Sequence, residues 1–340
     1  MTVIDSLASR KIMLRSLPRW SLRVLGGVLS AVGVAALVLT AMIAVPLKSP
    51  PRLASVSDTA RAVDRSTMPA LQRFQARDGT SLAYRHYPAR GTAVGRVAVL
   101  VHGSSGSSPS IHALADALAA RGVDTYAPDV RGHGASGTRG DIAYLGQLED
   151  DLADFVAEIR KSNPAAPLTL IGHSAGGGFA LRVAGSAIQN LFARTVLLAP
   201  YLGYSAPTNQ PNSGGWASAD IPRFLALTVL QAIGIDCCGA LPTLAFAVPP
   251  NSAQVLAPAY SFRLMRNFAT RHFRADLAAA TRPLTIYSGA DDELMLADKY
   301  AEAVRDFPHV DVRLVEGVNH MGIVSLQNAV KLLADDVATR

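Results

Sequence analysis

Charge is scarce in these 340 residues, and cysteine is nearly absent. Only 17% of residues are charged and 49% are apolar, which excludes a chain held open by its own charge and points to a packed globule. The two cysteines, Cys237 and Cys238, are adjacent. They are too few for a disulfide scaffold, and two neighbouring thiols without clustered histidines make a poor metal site, so no metal is expected. The pair reads as two small apolar fillers, with a strained vicinal disulfide as the alternative. No internal repeat or low-complexity tract interrupts the chain.

Acidic residues are nearly missing from one end. Residues 1–52 hold seven basic residues (Arg10, Lys11, Arg15, Arg19, Arg23, Lys48 and Arg52) against Asp5 alone. The rest carries 25 residues of each sign, so the net charge of +6 belongs wholly to the N-terminus. Nucleic-acid binding is not expected from such a distribution. Beside the basic cluster runs Val24–Leu47, 24 residues without a charge. That exceeds the roughly 20 residues a helix needs to cross a bilayer and the about 7–15 of a cleavable signal core. A retained signal anchor is therefore expected, with residues 1–23 cytoplasmic, 24–47 in the membrane, and the remainder outside the cytoplasm; a cleaved signal and a buried soluble helix are the alternatives. Residues 48–70 read as a polar, proline-bearing linker to a domain spanning 71–340.

In that domain apolar strand-like runs alternate with helix-like segments, the pattern of a doubly wound, mostly parallel α/β sheet. Asp78-Gly79 signals a hairpin ahead of it. The alternation breaks at about 203–281, too long for a simple connection, which reads as an inserted helical cap.

Candidate chemistry collects where strands end. Leu168–Ile171 runs into Gly172-His173-Ser174-Ala175-Gly176, a strand–turn–helix Gly-x-Ser-x-Gly that proposes Ser174 as a nucleophile. Val101 runs into His102-Gly103-Ser104-Ser105-Gly106, where the backbone N–H of Ser104, with that of Ala175, could hold an oxyanion. Tyr287 leads into Asp291-Asp292-Glu293, from which Asp292 is chosen over Asp291 to orient an imidazole. His320 follows the last strand and could shuttle the proton, giving the chain order Ser174, Asp292, His320.

Together with Asp129-Val130-Arg131-Gly132-His133-Gly134-Ala135-Ser136 and Asn319-His320, these segments resemble the α/β-hydrolase superfamily, in its monoacylglycerol lipase, lysophospholipase and serine aminopeptidase-like branch. The resemblance covers about residues 70–340 apart from the cap. It implies that the acid lies three residues after Gly289, at Asp292, and that Asp129 and His133 are scaffolding. It implies acyl transfer by a serine, without cofactor, on an ester or lipid-like substrate. A peptidase acting on free N-termini would need cap carboxylates, and the cap offers only Asp220, Asp236 and Asp276 against several arginines. A thioesterase or acyltransferase using the same residues, and a non-catalytic binding protein of this fold, are the remaining alternatives. Oligomeric state and acyl chain length are not encoded in any of these motifs.

Overall fold

The computed structural model describes residues 19–249 and 256–340. It divides into two units, residues 1–45 and 46–340.

Among its described residues the first unit holds one helix, α1 (Arg19–Ala44), which begins five residues earlier than the uncharged run and stops before Pro46. Proline has no N–H and clashes with the preceding turn, so it ends a helix there. Trp20–Ala44 is 25 residues with a mean hydropathy of 2.3, long and apolar enough to cross a membrane. Three of the basic residues preceding it, Arg10, Lys11 and Arg15, lie outside the described residues.

The second unit takes in the whole stretch the sequence presents as a linker, within which Ala54–Arg61 forms helix α2 with Val56 buried. An eight-stranded sheet follows, with β1 (Leu71–Gln75), β2 (Ser81–Tyr87), β3 (Val97–Val101), β4 (Asp124–Pro128), β5 (Leu168–His173) and β6 (Arg194–Leu198). Strands β7 (Ala217–Ala219), β8 (Pro242–Phe246) and β9 (Ala259–Ser261) lie in the insertion, and β10 (Leu284–Gly289) and β11 (Val310–Val315) complete the main sheet. The spatial order is β1-β2-β4-β3-β5-β6-β10-β11. Only the β1–β2 hairpin and the β2–β4 pair are antiparallel. Every residue of β3, β5, β6 and β10 is buried. That is why these segments read as mainly apolar runs without alternation: helices cover a parallel sheet on both faces.

The flanking helices are α3 (His112–Ala120), α4 (Gln147–Arg160), α5 (Ala175–Ala184), α9 (Tyr300–Val304) and α10 (Gln327–Thr339). Helices α6 (Ile221–Ala232), α7 (Phe262–Met265) and α8 (Phe273–Ala279) fall in the insertion. The insertion is thus not purely helical, since β7, β8 and β9 pair antiparallel beside its helices. Cys237 is exposed and Cys238 half-buried, both as free thiols, so neither fills the core as expected.

Candidate active site

In an open α/β sheet, loops at the carboxyl ends of the strands converge on one edge. Each nominated residue lies on such a loop, after β3, β5, β10 or β11.

The turn after β5 is the tightest. Ser174 has φ 55° and ψ −120°, a conformation that non-glycine residues rarely adopt. Its N–H donates to the Leu198 carbonyl at 2.9 Å, and its carbonyl accepts from Gly178 and Tyr201 at 3.0 and 2.9 Å. The flanking glycines are sterically required. A Cβ on Gly172 would lie 2.2 Å from the Gly176 carbonyl oxygen, and one on Gly176 would lie 2.2 Å from that of His102. Ala175 opens α5, so its N–H has no carbonyl within the helix to bond.

The loops after β10 and β11 meet behind this turn. His320 Nδ1 sits 2.9 and 3.0 Å from the two carboxylate oxygens of Asp292. The same carboxylate accepts the backbone N–H groups of Leu294 and Met295 at 2.8 and 2.9 Å. Asp291 is exposed. Burial pulls the His320 imidazole down, but the charge and hydrogen bond of Asp292, with the charge of Glu293, outweigh it and leave its pKa raised. Burial raises the Asp292 carboxyl, yet His320 and the two N–H donors hold it below the ordinary value. The pair therefore favours an imidazole that readily takes a proton while its carboxylate stays ionised.

Two supporting residues carry only a weak sequence signal, His173 by its place inside the Gly-x-Ser-x-Gly motif. Glu293 accepts the backbone N–H of His320 at 2.9 Å; the only hint was its place in a run of three acids. His173 donates through Nε2 to the His320 carbonyl at 3.1 Å, tying the β5 turn to the β11 loop. Burial, then the charge of His320, push the His173 pKa to about 3, so it stays neutral. The Asp129 segment is internal scaffolding: its buried carboxylate accepts from Ser108 and Ala135 at 2.8 and 2.9 Å.

Ser104, Ser174 and His320 line one cavity of about 400 Å³. Its other walls are largely apolar, including Val56 and Ala60 of α2, Trp216, Val248 and Leu256 of the insertion, and Leu294 and Met321. The α2 wall is fixed partly through Thr59, whose hydroxyl accepts from Asn319 Nδ2 at 3.2 Å, next to His320. Arg61 is the one cation on the described lining, and it is shared with Asp58, which also pairs with Arg52. No carboxylate is on the described lining, and residues 250–255, which follow Pro249, contain no acid. Among the described residues, no cluster of His, Cys, Asp or Glu could hold a metal. The arrangement offers a strained serine, an imidazole backed by a carboxylate, and an apolar chamber beside them.

Residues 92–324 match the serine aminopeptidase S33 family. A monoacylglycerol lipase of Mycolicibacterium smegmatis is 36% identical over 83 residues, which are 24% of this chain and 30% of that protein. The uncharacterized protein YnbC of Escherichia coli is 37% identical over 95 residues, 28% of this chain and 16% of that one. The chain thus spans less than a third of the length of either relative. Among solved structures, a soluble variant of the Saccharomyces cerevisiae monoglyceride lipase with a substrate analogue superposes at a TM-score of 0.60, with 18% identity, covering 81% of this chain and 95% of that one. A membrane phospholipase A described as a bacterial virulence factor superposes at 0.54, with 18% identity, over 95% of this chain and all of the other. These superpositions establish the α/β-hydrolase fold.

Proposed function

Because the chain belongs to the serine aminopeptidase S33 family, we propose that it is a serine hydrolase cleaving carboxylic esters of lipid-like molecules, a monoacylglycerol or a lysophospholipid. The observation that carries this reading is the chamber itself: apolar walls, with Ser174 and His320 and no carboxylate on its described lining. An aminopeptidase must hold a substrate ammonium, and an apolar chamber without an acid gives that charge no partner. Asp220 instead accepts the Arg223 N–H at the start of α6, and Asp276 accepts the Thr270 hydroxyl. The lipase and phospholipase among the similar proteins support the same direction.

In this mechanism His320 removes the Ser174 hydroxyl proton as Ser174 attacks the ester carbonyl, and Asp292 stabilises the resulting imidazolium. The N–H groups of Ser104 and Ala175 hold the oxyanion. His320 returns the proton to the leaving alcohol, and water then releases the acyl group by the reverse route. The N-terminal helix would hold the enzyme at a membrane as a single-pass anchor, with the basic N-terminus cytoplasmic and the hydrolase domain on the opposite side.

The test is labelling by a fluorophosphonate probe alongside turnover of p-nitrophenyl esters of increasing chain length. Ser174→Ala is expected to lose both while melting like the parent. Asp292→Asn should lose roughly ten-thousand-fold in turnover, and Asp291→Asn almost nothing. A folded Ser174→Ala protein that still turns over esters would remove the assignment, and a preference for short, soluble esters alone would remove the lipid substrate.

A further inference from the structure

The loop that carries Ser104 is held from the insertion. Ser105 has φ 64°, a left-handed conformation costly for a serine, so the loop needs an outside restraint to stay in place. Three hydrogen bonds from the insertion supply one. The Ser105 N–H donates to the Tyr260 hydroxyl at 2.7 Å. The Ser105 carbonyl accepts from the Ala257 N–H at 2.9 Å. The Ser104 hydroxyl accepts from the Trp216 indole N–H at 2.8 Å.

Tyr260 sits on β9, 2% exposed, and its hydroxyl lies 2.5 Å from His133 Nε2. A hydroxyl that accepts from Ser105 has its own proton left to give. Burial, then the charge of His102, keep the His133 imidazole neutral, so its Nε2 can accept that proton. Polarity therefore runs one way, from the Ser105 N–H through the Tyr260 O–H to His133 Nε2. The two side-chain contacts are also joined by ring packing. Trp216 lies 5.8 Å from Phe246, which meets Tyr260 edge-on at 4.6 Å, and Tyr260 meets His133 at 5.2 Å.

We infer that Tyr260 and Trp216 are positioning residues for catalysis, holding the Ser104 N–H in its donating geometry so that seating of the insertion governs turnover. The inference rests on the serine-hydrolase reading above. An oxyanion donor acts only at the transition state, so a slackened loop costs turnover and leaves ground-state binding of the acyl chain nearly intact. Tyr260→Phe keeps the ring and removes only the hydroxyl that links Ser105 to His133. Trp216→Phe keeps an aromatic wall and removes the indole donor.

The experiment compares the full-length protein with both variants on p-nitrophenyl butyrate, together with inhibition by a trifluoromethyl ketone whose serine adduct places an oxyanion at the same donors. For Tyr260→Phe, kcat should fall about 10- to 100-fold with KM within about twofold. Ketone affinity should weaken by the same factor as kcat/KM, and a purely structural defect would not link those two quantities. Trp216→Phe should show the same pattern more weakly, and it serves if Tyr260→Phe does not fold. A folded variant with parental kcat and parental ketone affinity overturns the inference while leaving the hydrolase reading in place. A full-length parent with neither turnover nor Ser174 labelling overturns both.

Discussion

His320 is set apart from the other seven histidines by what surrounds its two ends. Its ring faces Asp292 and its backbone N–H faces Glu293, and both carboxylates raise its affinity for a proton against the opposing effect of burial. In the proposed mechanism His320 is a general base, which works only when neutral, so kcat/KM should fall as pH drops through a value above the ordinary 6.5. Glu293→Gln keeps an oxygen to accept the His320 N–H but removes one raising charge, so the acid limb should move to lower pH. A pH–rate profile of parent and variant checks this, and coincident limbs would mean that the Glu293 charge is not felt at the imidazole. The same shift has a stability counterpart. A raised histidine stabilises the fold fully below the unfolded value of 6.5 and loses that contribution as pH rises through its native pKa. Asp292, held low, acts in the opposite sense: its contribution is present above the unfolded value of 3.8 and is lost as pH falls through the native one.

Among the elements, the β5–α5 turn is the most tightly specified. Its glycines are fixed by backbone oxygens that cannot swing aside, and Gly176 faces the carbonyl of the residue that begins the Ser104 loop. Gly176→Ala should therefore destabilise the domain by about 1–3 kcal/mol or more and push the Ser104 loop away from Ser174. Thermal melting should show the first effect, and loss of fluorophosphonate labelling in the fraction still folded should show the second. Normal labelling with normal melting would mean that the backbone relaxes at no cost. Helix α2 teaches a different lesson. It is short and polar enough to pass for a linker in the sequence, and only its packing against the cavity gives Val56 something to bury against.

For the whole molecule, the hydrophobic core is built from residues within 46–340, beginning at Val56. On the proposed reading of an anchored esterase, a chain starting at Pro46 should fold, leave the membrane fraction on ultracentrifugation and still hydrolyse short soluble esters; loss of folding would place part of the core in residues 1–45. Much of this protein was legible in the sequence. Buried parallel strands announce themselves as apolar runs, the Gly-x-Ser-x-Gly turn carries its own steric logic, and a long uncharged segment is explicit about its length. Those signals are local, since each reflects the chain's own backbone or its immediate covering. What the sequence could not carry was the rest of the long-range pairing: Glu293 on the His320 N–H, α2 as a cavity wall, and Tyr260 reaching a loop 155 residues away. These contacts leave no periodicity behind. They exist only because a twisted parallel sheet gathers the ends of distant strands at one edge, where a tyrosine from an inserted strand can meet the backbone of a serine loop.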